Sequence, residues 1–206
     1  MQAIGFIGLG KMGGNMAARY LDAGYTVYGE ARNRNDARWL IDQGLRWVDT
    51  PREVAQAAEI VMTSLPNDDV VRSVASGTEG ILAGLGEGKT WADLSTISPR
   101  ASRELAAQVR DEGRGAQMLD TPVSGSVPQV QSGTLTIMVG GDEDAFRALS
   151  RSCASSEPRS TSARTAKDWC SSSRSTSAWP CRCSLSQKVC CSPNATESTP
   201  TAPRRS

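Results

Sequence analysis

The segment that most constrains the fold is AIGFIGLGKMGGNMAARYLDAGYTVYG, at positions 3–29. An apolar run is followed by a glycine-rich turn, and apolar residues then recur at helical spacing at Met12, Met16 and Tyr20. Gly24 ends this predicted helix, and YTVYG supplies a second strand. The segment therefore predicts a β-α-β unit of the usual length of about 30 residues.

Three glycines within this unit, Gly8, Gly10 and Gly13, form the pattern G-x-G-x-x-G directly after a strand and at the opening of a helix. We expect Gly8 to permit a tight turn, Gly10 to let the backbone approach a pyrophosphate, and Gly13 to let the helix pack closely on the strand. The N–H groups and the dipole at the start of the helix then point at the phosphates. The alternative is a tight β-to-α turn without a ligand.

Predicted strands and helices continue to alternate as far as residue 150. They are a strand at 59–66, a helix at 68–76, a strand at 90–96, a helix at 99–112 capped by Ser98, two strands in AQMLDTPVSG and TLTIMVGG, and a helix from about Asp142. This alternation predicts an α/β fold with a Rossmann-like, doubly wound and mostly parallel sheet. Ligands of such sheets bind at the carboxyl ends of the strands.

The composition changes abruptly near position 150. All 19 glycines lie before Ala145, and all six cysteines lie after Ser150. From Arg151 onward the chain has fifteen serines, one leucine and one valine, and no glycine, isoleucine or phenylalanine. Such a segment cannot bury enough apolar surface to offset the entropy lost on ordering it. We therefore predict a dinucleotide-binding domain at 1–150 and a disordered tail at 151–206.

Charge and composition argue against several other functions. A net charge of +1 gives no basis for binding nucleic acid, and no apolar run approaches the roughly 18 residues that a membrane helix needs. The amino terminus lacks the features of a secretion signal, so we expect a cytoplasmic protein. The chain has no histidine and its cysteines lack paired C-x₂-C spacing, so no metal site is expected.

Four motifs, GFIGLGKMGGNMA, SLPNDDVV, DLSTISP and DTPVSGSVPQVQSGTLTIMVGG, together resemble the β-hydroxyacid dehydrogenase family. This family includes 3-hydroxyisobutyrate dehydrogenases, tartronate semialdehyde reductases and glyoxylate/succinic semialdehyde reductases. The resemblance covers about residues 1–150. It implies an oxidoreductase that transfers a hydride between a nicotinamide cofactor and a small β-hydroxy acid or its semialdehyde.

The resemblance also implies which positions bind the cofactor. The first motif wraps the pyrophosphate and the nicotinamide side of the cofactor in this family, which here implies Gly8, Leu9, Gly10, Lys11, Met12 and Gly13. Leu65 and Pro66 match the loop that passes under the cofactor, and Thr96 matches the residue near the nicotinamide ribose. Alternatively, Leu65 and Pro66 only end a strand, and Lys11 is a solvated charge beside the phosphates.

Two further positions match the family's substrate site. Ser124 and Gly125 correspond to the donors that hold the substrate carboxylate, although the same two residues would also suit a simple turn. The family usually has a second glycine where this chain has Ser126, and commonly a polar residue where it has Val70. The chain departs from the family pattern at both positions.

The choice between NADP and NAD depends on the end of the second strand, which reads YGEARNR. An acidic residue there accepts hydrogen bonds from a ribose 2′-OH, whereas an arginine favours a 2′-phosphate. Arg32 aligns with the arginine of NADP-preferring relatives, and Ala31 stands where NAD-preferring relatives keep Asp. Glu30 is expected to point to the other side of the strand. We therefore expect NADP, with NAD as the alternative.

The catalytic group of the family is missing from its expected place. The family carries a proton-transferring lysine in the pattern G-x-x-x-K-L-x-x-N, on the helix that leads into a second, helical domain. This pattern does not occur after residue 160, so no catalytic residue is assigned. Our hypothesis is that the tail is the family's gene read out of frame. The alternative is a native serine-rich tail.

Three functions remain open from the sequence. The first is an NADP-linked oxidoreductase of a small-molecule carboxylate, from a family whose members are usually homo-oligomeric. The second is a truncated domain that binds the cofactor without turnover, since the catalytic lysine is absent. The third and weaker alternative is an imine reductase, because that branch resembles this chain in the nucleotide domain and does not use the lysine.

Overall fold

The computed structural model describes residues 3–142 and 145–146 of the 206 residues. The tail at 151–206, for which we predict disorder, lies outside the described residues. The strands are β1 (Ala3–Ile7), β2 (Thr26–Glu30), β3 (Arg46–Trp47), β4 (Ile60–Thr63), β5 (Thr90–Asp93), β6 (Gln117–Asp120), β7 (Val123–Ser124), β8 (Thr136–Ile137) and β9 (Gly140–Gly141). The helices are α1 (Lys11–Asp22), α2 (Arg38–Asp42), α3 (Pro51–Ala57), α4 (Asp68–Ala75), α5 (Ile81–Gly84), α6 (Pro99–Glu112) and α7 (Val127–Ser132), with a 3₁₀ helix at Arg34–Ala37.

Seven strands form one sheet in the order β3-β2-β1-β4-β5-β6-β9. The strands from β3 to β6 are parallel, and β9 is antiparallel to β6. The chain moves outward from β1 through β2 and β3 and then crosses to β4 on the other side of β1. This reversal places a topological switch point between β1 and β4 and confirms the expected Rossmann-like α/β fold.

Apolar clusters cover both faces of the sheet, which explains why β1 reads as a continuous apolar run. Phe6 packs with Met16 and Val27 on one face. Ile7 packs with Val54 and Trp91 on the other. No helix in residues 3–142 and 145–146 is long and apolar enough to cross a membrane.

The helices around the carboxyl edge begin and end near the expected residues. Ser98 caps α6, where its side chain accepts a hydrogen bond from the amide of Ala101. Asn67 caps α4 in the same way, through the amide of Val70. Helix α1 ends at Asp22, just before Gly24, whose φ is +84°. Every predicted helix and strand up to β6 is therefore present, and β3, α2, α3 and α5 are additional short elements.

The structure differs from the expectation after β6. The first predicted strand, AQMLDTPVSG, is divided into β6 and β7, and the second, TLTIMVGG, into β8 and β9; β7 and β8 form a separate antiparallel pair. Pro122 lies between β6 and β7, and a proline cannot donate to a sheet ladder. The segment instead returns as β9, which pairs with the end of β6 through Leu119 and Asp120.

Candidate functional site

Gly8 forms the turn that leaves β1. Its φ of +88° lies in the left-handed region, which favours glycine. Its N–H donates to the carbonyl oxygen of Glu30 at 3.1 Å, which connects the turn to the end of β2. A Cβ at Gly8 would lie 2.5 Å from the carbonyl oxygen of Ser64. The turn is therefore enclosed between the ends of β2 and β4, with no space for a side chain.

Gly13 and Gly10 have opposite surroundings. A Cβ on Gly13 would lie 2.1 Å from the carbonyl oxygen of Gly8, because the start of α1 packs directly on the turn. A Cβ on Gly10 would meet no atom within 4 Å, and Gly10 is exposed. The backbone at Gly10 is thus open to a ligand, while Gly8 and Gly13 fix the turn around it.

The first turn of α1 has no side-chain cap and no acidic residue, since its N-cap is Gly10. By contrast, the side chains of Thr50, Asn67 and Ser98 accept backbone N–H groups at the starts of α3, α4 and α6. The first N–H groups of α1 and the positive end of its dipole are therefore available at the carboxyl edge of the sheet. A phosphate group suits such a helix start.

The other predicted residues of this segment differ in exposure. Leu9 is buried, and its side chain approaches Gly29 in the core rather than solvent. Met12 is half-buried against the same cluster. Lys11 is exposed at the first position of α1. Only Gly10 and Lys11 are therefore exposed in this segment.

The Leu65–Pro66 loop lies against the glycine turn. A Cβ on Gly8 would lie 2.8 Å from Cδ2 of Leu65. The amide of Leu65 donates to the hydroxyl oxygen of Ser95 at 2.9 Å, and Thr96 is the exposed residue that follows. The structure thus brings three of the predicted segments together: the turn at Gly8, the loop after β4 and the loop after β5.

A buried polar group behind these loops was not predicted. Asp93 is fully buried, and its Oδ1 accepts hydrogen bonds from the Thr63 hydroxyl at 2.6 Å and from the Ser95 amide at 3.1 Å. Burial raises the pKa of Asp93, and the hydrogen bonds from Ser95 and Thr63 act in the opposite direction. Burial also raises the pKa of Asp120, with the neighbouring charge of Asp93 adding to the effect.

The end of β2 carries the residues that bear on cofactor choice. Arg32 is exposed two residues after the strand, and Ala31 is half-buried. The guanidinium of Arg34 lies over the ring of Trp47, 5.7 Å from its centroid. Burial raises the pKa of Glu30, whose backbone carbonyl accepts from the glycine turn. Arg32 is thus the arginine nearest to the strand end, whereas Arg34 is stacked on an indole ring.

Ser124 and Gly125 lie at the end of β7 and are exposed. Gly125 has a φ of +137°, which favours glycine. The amide and the hydroxyl of Ser126 both contact Oε1 of Gln129, at 2.9 and 2.6 Å, in a capping box at the start of α7. The Ser126 amide therefore already has an acceptor within its own helix.

Helix α7 is attached to α1, which carries the glycine turn at its start. Arg19 donates to the carbonyl oxygen of Gln131 at 2.7 Å, and the Gln131 side chain donates to Asn15 at 3.1 Å. Val130 belongs to the same buried cluster as Met16. The loop with Ser124 and Gly125 is consequently anchored to the helix whose first turn is uncapped.

Comparisons with known proteins agree with this geometry. A family model described as the NAD binding domain of 6-phosphogluconate dehydrogenase matches residues 3–154, which is more than half of the chain. The sequence is 41% identical over 157 residues to the probable mitochondrial 3-hydroxyisobutyrate dehydrogenase of Arabidopsis thaliana, covering 71% of this chain and 45% of that protein.

Two solved structures are similar over the same region. Mycobacterium tuberculosis 3-hydroxyisobutyrate dehydrogenase with L-serine is 35% identical with a TM-score of 0.65, covering 71% of this chain and 49% of that one. Psf3 in complex with NADP+ and 2-OPP is 33% identical with a TM-score of 0.68, covering 72% and 52%. This chain spans about half the length of the relatives it matches. It carries an NAD(P)-binding domain and belongs to the family of the 6-phosphogluconate dehydrogenase NAD-binding domain, with 3-hydroxyisobutyrate dehydrogenases among its relatives.

Proposed function

We propose that this chain binds NADP at the glycine turn and forms the nucleotide half of an oxidoreductase of small β-hydroxy acids or their semialdehydes. One observation carries the proposal: an uncapped helix start whose Gly10 faces open space between two glycines that allow no side chain. This arrangement lets backbone N–H groups reach a diphosphate closely. The diphosphate of a cofactor fits these residues because, among the described residues, no capping side chain and no acidic residue of the first turn occupies the N–H groups at the start of α1.

The glycine turn, the loop after β4 and the loop after β5 each contact a different part of the cofactor. The N–H groups that follow Gly10 bind the pyrophosphate, and Lys11 adds a nearby positive charge. Leu65 and Pro66 form an apolar floor under the cofactor, and Thr96 reaches the nicotinamide ribose. When bound, the cofactor supplies the hydride; the protein supplies position and excludes water from one side.

The preference for NADP is assigned to Arg32. It is an exposed guanidinium two residues beyond β2, where a 2′-phosphate of an adenosine ribose is bound in this fold. Arginine binds phosphate through several N–H groups held in a rigid plane. Ala31 has no carboxylate that could repel the 2′-phosphate or accept from a 2′-OH. NAD remains the alternative cofactor.

The substrate carboxylate is assigned to the Ser124 hydroxyl and to the backbone N–H of Gly125. Gly125 is exposed, and its positive φ turns the backbone away from the direction of β7. The Ser126 amide is excluded from this set, because it donates to Gln129 at 2.9 Å. We therefore propose a carboxylate site with one donor fewer than a glycine at position 126 would offer.

The second candidate function is cofactor binding without turnover. Loss of a proton-transferring group typically costs a factor of about 10²–10⁴ in rate. The sequence after residue 150 has no G-x-x-x-K-L-x-x-N pattern, and its serine-rich composition differs from that of the preceding domain. The tail at 151–206 accordingly contributes no catalytic residue that we can assign.

An out-of-frame tail would account for this change in composition. When the last base of each codon is joined to the first two of the next, four junctions permit only one amino acid, and each is apolar: Leu at Asp168/Trp169, Val at Trp169/Cys170, Ala at Trp179/Pro180 and Leu at Cys190/Cys191. The same frame permits a lysine across Ser171/Ser172 and an asparagine across Ser175/Thr176, four positions later. Sequencing the coding DNA decides this point, because stops or the absence of the lysine codon in the shifted frame contradict the hypothesis.

The function itself is tested on the purified full chain. Titration with NADPH and with NADH, followed by cofactor fluorescence, measures binding. Oxidation of NADPH is then monitored with glyoxylate, succinic semialdehyde, tartronate semialdehyde and a cyclic imine. Binding together with NADPH oxidation in the presence of glyoxylate or a semialdehyde, which is reduced to the hydroxy acid, supports the enzyme, and binding without NADPH oxidation supports the second candidate. Turnover with the imine alone supports an imine reductase. A folded chain that binds neither cofactor contradicts all three.

A further inference from the structure

A side-chain hydroxyl helps to position the loop that contacts the glycine turn. The Leu65 amide donates to the Ser95 hydroxyl oxygen at 2.9 Å, although the two residues are 30 positions apart in sequence. Leu65 also lies against Gly8, where an added Cβ would come within 2.8 Å of Cδ2 of Leu65. Ser95 therefore holds the Leu65 side of this loop against the turn, next to the backbone bond in which the Ser64 amide donates to the Ile7 carbonyl oxygen at 3.0 Å.

Ser95 is in turn fixed by Asp93. Its amide donates to Asp93 Oδ1 at 3.1 Å, a short-range carboxylate-to-backbone bond that bends the chain as β5 ends. Ser95 and Asp93 are both buried, with relative exposures of 3% and 0%. Solvent therefore does not compete for the bonds that hold Ser95, and its orientation depends on the carboxyl group of Asp93.

Asp93 is itself anchored by the neighbouring strand. Thr63 and Asp93 are register partners on β4 and β5, and the Thr63 hydroxyl donates to Asp93 Oδ1 at 2.6 Å. The Thr63 oxygen also accepts from the indole N–H of Trp91 at 2.9 Å. Thr63 is the last residue of β4 and immediately precedes the loop of Ser64 and Leu65. The network therefore links the start of this loop to the end of β5.

We propose that Asp93 is a positioning residue, which orients Ser95 so that the Leu65–Pro66 loop lies at the correct distance under the cofactor. Asp93 acts only through Ser95 and reaches no ligand. The inference rests on the proposed cofactor site for its consequence in binding, but the position of the loop is measurable without any cofactor. The acceptor on Asp93 is its Oδ1, which an asparagine side chain retains.

The direct test is amide hydrogen exchange at Leu65 in the full chain without cofactor, measured by NMR. In Asp93→Ala and in Ser95→Ala, the Leu65 amide is expected to exchange at least about tenfold faster, because it loses its oriented acceptor. Amides within β4 serve as the internal reference for overall stability. Asp93→Asn is expected to remain within about twofold of the wild type. Thr63→Val, which removes the donor to Asp93 together with the acceptor of the Trp91 indole N–H, replaces Asp93→Ala if that variant does not fold.

The matched control is Thr121→Val, at the residue that follows β6. Thr121 is buried, and its hydroxyl has no hydrogen-bond partner among the described residues. Its loss should leave Leu65 exchange unchanged. Unchanged exchange in Ser95→Ala, or in the folded Asp93→Ala or Thr63→Val variant, overturns the proposal, as does equal acceleration in Thr121→Val.

NADPH titration of the same variants tests the consequence for binding. Asp93→Ala and Ser95→Ala should weaken NADPH binding about five- to tenfold, with Asp93→Asn close to the wild type. Faster Leu65 exchange with unaltered NADPH affinity overturns the link between the loop and the cofactor. Failure of the wild type to bind NADPH refutes the proposed function instead, and the exchange data still decide whether Asp93 positions the loop.

Discussion

A Cβ placed on Gly13 would lie 2.1 Å from the carbonyl oxygen of Gly8. The obstacle is backbone, and it belongs to the turn that closes the end of β1. Glycine at position 13 is therefore required by folding itself, before any ligand is considered. The same does not hold for Gly10, whose added Cβ would meet no atom within 4 Å.

Gly13→Ala should lower the free energy of unfolding by about 1–3 kcal/mol, because the turn or the helix must shift to relieve the overlap. Urea denaturation of the full chain measures the change. Gly86→Ala is the control: its added Cβ meets no atom within 4 Å, and it should leave stability unchanged or raise it by up to about 1 kcal/mol. Equal stability of Gly13→Ala and the wild type would contradict the observed packing.

Gly10→Ala should fold normally and bind the dinucleotide poorly. Its added methyl group meets no protein atom, so unfolding should change by less than about 0.5 kcal/mol. The same methyl group occupies the space through which a pyrophosphate approaches, and NADPH affinity should fall about tenfold or more. Fluorescence titration checks the affinity. Undiminished binding would place the diphosphate elsewhere.

Arg32→Ala should weaken NADPH binding by about tenfold and leave NADH binding within about twofold, since charge-assisted hydrogen bonds to the 2′-phosphate are lost. Arg38→Ala is the matched control, because it removes an exposed arginine of the next helix that pairs with Asp42 at 3.8 Å. Titrations with both cofactors measure the ratio. Parallel losses for NADPH and NADH would assign Arg32 no role in discrimination.

Asp93→Asn should change how stability depends on pH. Burial raises the pKa of Asp93 in the folded chain, so folding favours its protonated form. The stabilisation is fully present below the ordinary carboxyl pKa and is lost as the pH rises through the raised value. Asparagine does not titrate, so the stability difference should shift in favour of the variant as the pH rises above the ordinary carboxyl pKa of about 4. Urea denaturation across this range checks the trend, and a constant or opposite difference would contradict it.

Much of the fold could be predicted from the sequence because short sequence patterns mark the ends of its central helices and strands. Ser98 followed by Pro99 marks the start of α6, and the apolar run before Gly8 marks β1. The sequence does not predict strand β3, because its two residues, Arg46–Trp47, are too few to show an alternation of apolar and polar side chains. The short helices α2, α3, α5 and α7 were likewise not predicted, although Thr50 and Glu53 form a capping box that the sequence T-P-R-E signals.

Only part of the site could be predicted from the sequence, for a related reason. The role of each glycine follows from residues near it in sequence, whereas the Asp93 network depends on the parallel register between β4 and β5. A polar residue near the end of an apolar run, as at Thr63 and at Asp93, is a local signal that a strand ends. That the two side chains meet is visible only once the strands are paired. The Ser126–Gln129 pair, in contrast, has the spacing of a capping box and was open to recognition from sequence alone.

The antiparallel pairing of β9 gives this edge of the sheet a direction opposite to that of the parallel strands. Gly140 and Gly141 pair with Asp120 and Leu119 at the carboxyl end of β6, and the chain there points away from the glycine turn. Any later residue that contacts the turn must therefore lie beyond a reversal of the chain direction.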